Sequence, residues 1–581
     1  MKYKFFIPKN LSSIKDYAVI DIETISTKDE LEEFLQKKLN LAYLIPFFVK
    51  KIGIAVKKEN VKNLKEIEKY LKKVDENFCY FIVEDESLFK LEEKFKKVLK
   101  NLEIKNLVAF NGESFDFKVL SLFFGKKVNE RKYIKIGKKI IYLKDILKAF
   151  GNKKISLEKL SRELSLEGKG GKSVDEYLLK DLELEVKIVE YFKKENLSFS
   201  LSSIAFSTLK NVIKKDKKII FKSYEIDAPL FFQGGLSVAF QKGKFLVDIL
   251  DVNSLYPYVM SEYPIFPEKI EKIDKDFLSL YIENMQEDIL PISLIKVKNV
   301  KGKPFISFYT RENGKAKYVL ENEKVYFVVG LEHKELLKYD VDYEVLYSYL
   351  VYLKKSTELS QFIKESYEKR KVYKKEGKNA LAFFLKLRLN SLFGVFGKVY
   401  LANEKKLTEK ELKEFIKGAQ KIDKDFYVSY YENYFIDKNF LTGKIFHTFS
   451  NPLASIFITS FARYYMFEKI EKLKSLGAKV YYTDTDSLFI DSKDRKKYEK
   501  VLKIGDALGE FKIEEKNVIV NIIDRKIYKI EGKGYICPGF KRFGSGKEVN
   551  VYLDKNLNLN IVKKKVKGFK LWRKKYYYLA R

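Results

Sequence analysis

Asp484 and Asp486 lie two residues apart, between short β-branched and aromatic runs at 480–482 and 488–490. That pattern predicts strand, tight turn, strand. A turn of this kind projects two carboxylates from a rigid tip, and such a tip suits hard divalent cations, which take oxygen ligands. A second acidic set falls in the first third of the chain. Asp21 and Glu23 alternate along the apolar strand predicted at 17–24, so they share a face. Asp116 follows another apolar strand, at 107–110. Asp181 belongs to a helix predicted from 175 through Leu184, Val186 and Ile188, with Tyr177 four residues earlier on the same face. Four carboxylates on separate elements can converge on two metal ions about 3.5–4 Å apart, which activate a water and stabilise the leaving oxygen in phosphodiester hydrolysis.

The elements that must position these groups belong to a large, charged chain. Its 581 residues allow several domains, and its 46% hydrophobic content makes it globular. The formal net charge of +34 implies a polyanionic partner, nucleic acid or an anionic membrane. No apolar run approaches the roughly 20 residues needed to span a bilayer, and the first residues have too short an apolar core for a signal peptide. Nucleic acid is therefore the expected partner, with no membrane. The two cysteines, Cys79 and Cys537, and two histidines, His333 and His447, exclude a disulfide framework and a Cys/His zinc site. Residues 260–356 read as strands with turns such as Asn313-Gly314, and five of the ten prolines fall in 257–304. Two helices are expected at 359–375 and 380–396, where no proline interrupts.

In order along the chain, the first acidic set resembles the three exonuclease motifs of family B DNA polymerases. Asp21 and Glu23 form Asp-x-Glu, Asn111, Phe115 and Asp116 form the second motif, and Tyr177 and Asp181 form Tyr-x3-Asp. The resemblance implies that the four carboxylates bind metal and that Tyr177 orients the attacking water. It also implies that Thr24, Asn111 and Phe115 touch the DNA. Lys169 or Lys172, in the Gly-rich stretch 168–172, corresponds to the catalytic lysine of protein-primed members; spacing does not choose between them. A helix expected after Tyr142 carries Asp145 and Ile146, and Ile146 stands where that family usually has Ser or Thr to grip single-stranded DNA.

The resemblance continues downstream. Phe232, Gly234 and Gly235 are similar to the Tyr-x-Gly-Gly loop between exonuclease and polymerase domains, with Phe in place of Tyr; the glycines let backbone approach a phosphate. Asp251, Ser254, Leu255, Tyr256 and Pro257 match motif A. This implies that Asp251 pairs with Asp486 across two metals, with Val252 beside the metals and the nucleotide and Leu255 along the nucleotide. Tyr256 would lie under the incoming sugar, where a rigid ring clashes with a 2′-OH. Lys386, Asn390, Ser391, Phe393 and Gly394 resemble motif B. Lys374 and Lys386 are then expected to neutralise the triphosphate, Asn390 and Gly394 to line the nascent pair, and Ser391 and Phe393 to meet DNA. Arg463, in Thr459-x2-Ala462-Arg463, and the Lys526-x-Tyr528 pair are expected DNA contacts, and the basic, aromatic tail at 563–575 suits backbone gripping.

The resemblance covers nearly the whole chain. It implies an α/β and α+β multidomain protein: a ribonuclease H-like 3′–5′ exonuclease domain plus a right-hand polymerase of palm, fingers and thumb, with two inserted modules like terminal-protein regions. The expected boundaries are exonuclease 1–190, palm 191–260 and 453–530, first insertion 261–357, fingers 358–396, second insertion 397–452 and thumb 531–581. The implied function is DNA-directed DNA synthesis with proofreading. Two Mg2+ ions would serve each site, replaceable by Mn2+, and the partners would be template-primer DNA, dNTPs and a terminal protein as primer. Such an enzyme is expected to be a processive, strand-displacing monomer in the host cytoplasm, replicating a linear viral or plasmid genome. A DNA-primed or primer-independent relative and a catalytically dead scaffold are the alternatives; intact carboxylates argue against the last.

Overall fold

Apolar runs that alternate or run continuously become strands. The computed structural model describes residues 16–24, 49–85, 87–113, 116–124, 133–150, 155–164, 173–194, 204–205, 208–209, 212, 232–312, 315–396, 399–402, 443–446, 451–532, 534–536, 551–553 and 559–561. The chain divides into two compact units, one of Pro8–Asn211 with Ser366–Ser391, the other of Met1–Ile7, Val212–Glu365 and Leu392–Arg581. Among the described residues no helix is long and apolar enough to cross a membrane.

The first unit is built on a seven-stranded mixed sheet. Its strands are β1 (Tyr17–Thr24), β2 (Val49–Lys57), β3 (Leu71–Val74), β4 (Phe78–Glu84), β5 (Asn106–Ala109), β6 (Tyr133–Ile136) and β7 (Lys139–Asp145). Their order is β3-β4-β2-β1-β5-β7-β6, with β5 parallel to both β1 and β7. Period-two alternation in β1 separates two cores. Ala18, Ile20 and Ile22 enter one, with Phe95 of α1 (Leu88–Lys100) and Phe117 of α2 (Asp116–Phe124). Tyr17 and Val19 enter the other, with Leu182, Val186 and Val189 of α3 (Val174–Lys194). The expected helix after Tyr142 is corrected: β7 runs on to Asp145, and only a 3-10 turn, Ile146–Phe150, follows. Ile146 is fully buried in the second core, so it offers nothing to a DNA strand.

The second unit holds a seven-stranded antiparallel sheet and a four-stranded one. The first comprises β8 (Ser237–Ala239), β9 (Gly243–Val252), β18 (Val480–Asp484), β19 (Ser487–Asp491), β20 (Phe511–Asp524), β21 (Ile527–Ile530) and β22 (Gly534–Ile536), in the order β22-β21-β20-β9-β19-β18-β8. The second comprises β10 (Phe266–Ile273), β11 (Ile289–Val300), β14 (Val325–Val329) and β15 (Val341–Lys354), in the order β10-β15-β11-β14. A hairpin of β12 (Phe305–Glu312) and β13 (Lys315–Val319) lies between β11 and β14 in the chain; its tip at 313–314 is outside the described residues. Helix α4 (Leu255–Glu262) follows β9. The two helices expected at 359–375 and 380–396 form as α5 (Thr357–Lys375) and α6 (Asn379–Phe396), whose residues 366–391 count with the first unit. Helix α7 (Pro452–Ser475) starts with the Asn451 side chain accepting the Ala454 N–H and Pro452 in the first turn, and it stops at Gly477, whose φ of 68° lets the chain turn back.

Of the second expected insertion, 397–452, the described residues include two short strands. There β16 (Val399–Ala402) pairs antiparallel with β17 (Gly443–Phe446), Ala402 opposite Gly443. Phe115, Lys169, Lys172, the body of that insertion and the tail at 563–575 lie outside the described residues.

Candidate active sites

In the first unit, β1 presents Asp21 and Glu23 toward the face that α3 covers. The helix is tied down along its length. Lys51 of β2 reaches Asp175 at 2.5 Å, and the Tyr17 hydroxyl donates to Glu190 at 2.7 Å. Gly53 is the β2 residue paired with Asp21. A Cβ there would meet Leu182 Cδ1 at 2.7 Å and Leu178 Cγ at 2.9 Å, so its missing side chain is what lets α3 come this close. Asp181 lies between those two leucines in α3, and the approach brings its carboxylate to the strand. Candidate ligand oxygens of Asp21, Glu23 and Asp181 all lie within 4.8 Å of one another. Three hard oxygen donors in that space fit a divalent cation such as Mg2+ or Mn2+.

Asp116, at the start of α2, is buried and accepts the Ile22 N–H at 3.1 Å. Burial, then the neighbouring Asp21 charge, push its pKa well above the usual carboxylate range. It therefore belongs to the same acidic locus, outside the tight trio. Tyr177 is exposed, two turns before Glu185 and one before Asp181 on α3. Asn111 is exposed with φ 63°, a left-handed turn that redirects the chain from β5 toward α2. Thr24 closes β1.

In the second unit, the tip between β18 and β19 has the expected form. Asp484 pairs with Ser487, leaving Thr485 and Asp486 as the turn. Thr485 has φ 64°, and the Asp486 N–H donates back to the Asp484 carbonyl at 2.8 Å, a tight and strained closure for a β-branched residue. What over-determines it is the loop 232–236. The Thr485 N–H donates to the Leu236 carbonyl at 2.6 Å, and a Cβ on Gly235 would strike Thr485 Oγ1 at 2.7 Å. Gly235 thus serves the turn itself. On the neighbouring strand, Asp251 pairs with Ser487, and the Val252 N–H donates to the Asp486 carbonyl at 2.8 Å. Asp251 and Asp486 are therefore brought side by side across β9 and β19.

Around this tip lie the other expected residues of the unit. Val252 and Leu255 have buried side chains. Tyr256, on α4, has its pKa raised by burial and then by Asp486, so its ring stands beside the acidic tip. Phe393 packs on it at 4.7 Å between ring centroids, and Phe232 stacks on Phe393 at 6.4 Å. Gly394 is exposed on α6. Lys526, with φ 61°, reaches Asp484 at 3.3 Å. Tyr528 has its hydroxyl pushed up to about 12, by burial first and then by Asp484 and Asp251. Lys374 is exposed on α5, Lys386 and Asn390 are exposed on α6, and Ser391 donates to the Arg388 carbonyl at 2.8 Å. These four belong to the first unit by packing.

Arg463 requires a correction. Its side chain is 0% exposed, so it is no direct DNA contact. Its guanidinium pairs with buried Glu332 at 2.6 Å and donates to the carbonyls of Gln233 and Gly234 at 2.8 and 2.9 Å. Tyr318 donates to the Gly235 carbonyl at 2.9 Å. The carbonyls of 233–235 thus accept from protein donors, and Arg463 holds the loop that holds the turn at Thr485 and Asp486. Gly53, Glu332 and Glu185 were not anticipated. Only Glu185 left a local signal, its spacing of four from Asp181.

Two solved structures share this architecture. Phi29 DNA polymerase complexed with primer-template DNA and incoming nucleotide substrates superposes with TM-score 0.55 at 16% identity, over 91% of this chain and 94% of that one. The same enzyme's post-translocation complex with primer-template DNA gives 0.50 at 16% identity, over 94% and 98%. The fold is thus α/β and α+β multidomain, the architecture of that polymerase. The profile of DNA polymerase type B, organellar and viral, matches residues 126–476, more than half of the 581. The chain belongs to that family. A DNA polymerase of Kluyveromyces lactis is 26% identical over 292 residues, which is 46% of this chain. The chain spans about a quarter of that relative's length, 26%.

Proposed function

We propose that this chain is a DNA-directed DNA polymerase with a 3′–5′ proofreading exonuclease, primed by a protein and able to displace strands. The observation that carries the reading is the pair of separate acidic sites: the trio Asp21, Glu23 and Asp181 in one unit, and Asp251 beside Asp486 in the other. In synthesis, Asp251 and Asp486 would hold divalent cations with Val252 beside them, and Tyr256 would exclude the 2′-OH with Phe393 against its ring. Lys374 and Lys386 would bind triphosphate, Leu255 would line the nucleotide, and Asn390 and Gly394 would line the new pair. Lys526 and Tyr528 would hold the primer strand, with Asp484 orienting Lys526. In proofreading, Asp21, Glu23, Asp116 and Asp181 would hold the cations, Tyr177 would orient the water, and Thr24, Asn111 and Phe115 would steady the primer end. Bound Mg2+, two ions per site with Mn2+ as substitute, lowers the pKa of the attacking hydroxyl or water and offsets charge on the leaving oxygen.

We assign the boundaries expected above to exonuclease, palm, insertions, fingers and thumb. Support for protein priming and strand displacement comes from the basic chain and from an insertion opening between β16 and β17. A monomer replicating a linear viral or plasmid genome in host cytoplasm is the setting that fits. The test is separation of activities. Asp486→Asn should abolish nucleotide addition and spare degradation of single-stranded DNA, and Asp21→Ala with Glu23→Ala should do the reverse. Loss of both activities in either folded variant sinks the two-site reading. Formation of a protein–nucleotide adduct with a candidate terminal protein separates protein priming from DNA priming.

A further inference from the structure

The hairpin of α5 and α6 turns at Gly377, whose φ of 72° lets the chain reverse between the helices. Its inner residues, Ser366–Ser391, pack with the first unit. The start of α6 shows what holds them there. Lys378 precedes the helix, and the N–H groups of Ala380 and Leu381 are those that a side chain at Lys378 would cap if it had an acceptor. Lysine has none, and the acceptor comes from far back in the chain. Glu163 ends the short helix Leu157–Glu163 and is 9% exposed. Its Oε2 accepts the Ala380 N–H at 2.5 Å and the Leu381 N–H at 3.0 Å. A carboxylate on the first N–H groups of a helix is a favourable pairing.

The same face of α6 is seated in a core. Ala380, Leu381 and Phe384 are buried with Phe150, Leu160 and Phe192. The centroid of the Phe384 ring lies 5.5 Å from that of Phe150 and 5.7 Å from that of Phe192. One turn further on, Arg388 Nε donates to Oγ1 of buried Thr208 at 2.8 Å. Ala380, Phe384 and Arg388 are spaced by four, so they share a face. At about 100° per residue, Lys386 and Asn390 fall on the opposite face, and both are exposed.

We infer that Glu163 is a positioning residue for nucleotide binding: by holding the start of α6 it fixes where Lys386 and Asn390 stand. The inference rests on the proposed reading of those residues as contacts to the triphosphate and the new pair. A helix tied only through Gly377 is free to roll about its axis. One pinned at Ala380, Phe384 and Arg388 is held against that roll, so its opposite face keeps one direction. Loss of the pin spreads the directions of Lys386 and Asn390 and weakens nucleotide binding, without touching Asp251 or Asp486. A residue within the segment assigned to digestion thereby sets an affinity used in synthesis. A Glu163 that served only as a helix cap makes a different forecast: any acceptor at the start of α6 would replace it.

The test uses the full-length chain. Single-nucleotide incorporation on a primed template gives KM and kcat for the dNTP, and digestion of a labelled single strand by the same preparations is the control. Glu163→Ala should raise the dNTP KM by about five-fold or more, with kcat at saturation and the digestion rate near the parent's. Adding Lys378→Ser supplies a local acceptor for the same N–H groups; it should recover melting temperature and leave KM high. Phe384→Leu, which thins the seat and keeps both hydrogen bonds, should also raise KM, and it carries the test if Glu163→Ala does not fold. Recovery of KM by Lys378→Ser reduces Glu163 to a cap and overturns the inference. So does an unchanged KM in the folded variants, or digestion that falls in step with incorporation. Lys386→Ala separates this from the reading beneath it. A raised KM for Lys386→Ala with an unchanged one for Glu163→Ala sinks the inference alone; an unchanged KM for Lys386→Ala removes the nucleotide reading of α6 and takes the inference with it.

Discussion

Replacing Gly53 by alanine adds one methyl group where α3 packs on β2. The new Cβ would lie 2.7 Å from Leu182 Cδ1 and 2.9 Å from Leu178 Cγ. Carbon atoms settle at about 3.5–4.0 Å, so the contact must open by roughly 0.6–0.8 Å. Leu182 Cδ1 is a side-chain end and can rotate; Leu178 Cγ is a branch point, and moving it moves the helix. Overpacking of this kind costs about 1–3 kcal/mol. The displacement falls on the site itself, because Gly53 pairs with Asp21 and Asp181 sits between the two leucines. A misplacement near 1 Å at a reacting centre costs about 100-fold, so a loss of roughly 10- to 100-fold in exonuclease rate is expected. Quenched-flow digestion of a 3′-labelled single strand with Mg2+ measures it, and single-nucleotide incorporation, which is proposed to depend on Asp251 and Asp486 of the other unit, should stay near the wild-type rate. A folded Gly53→Ala protein whose digestion rate stays within about two-fold of wild type would refute the claim that close helix approach sets the metal geometry.

Three further outcomes are expected. Tyr256→Val should raise kcat/KM for ribonucleotides relative to deoxyribonucleotides without changing base choice; an unchanged ratio removes Tyr256 as the sugar gate. Arg463→Leu strands the buried Glu332 charge and should cost about 3–5 kcal/mol, with synthesis impaired more than digestion, while adding Glu332→Leu should restore part of the stability; denaturant unfolding of single and double variants decides it, and equal stability of all three would deny the clamp. Because Ala402 faces Gly443 across β16 and β17, an Asn-Gly turn can replace residues 403–442 without breaking the ladder. Opening duplex costs about 1.4 kcal/mol per step, so the shortened enzyme should fill a gap yet halt at a downstream duplex; many circuits of a primed circle in the presence of trap DNA would exonerate the insertion.

Much of the site was legible because its signals are local. Alternation placed Asp21 and Glu23 on one face, apolar flanks marked the turn at Asp484 and Asp486, and unbroken runs marked α3, α5 and α6. Where a local signal misled, a non-local partner was responsible. Arg463 read as a DNA contact because it is a cation near basic motifs, yet α7 is buried nearly all round and Glu332 meets it there. Gly235 read as a residue that lets backbone approach a phosphate; the structure adds that the space it leaves is filled by Thr485.

The sequence alone therefore determined the elements, the order of the acidic groups and the family they resemble, since spacing and periodicity are properties of the chain itself. Only the tertiary structure decided which carboxylates share a cation-sized space, that Gly53 admits α3 to the strand, and that Arg463 faces inward. Those facts depend on contacts between residues far apart in the chain, such as Gly53 with Leu182 and Gln233 with Arg463, and distance in space is set by packing.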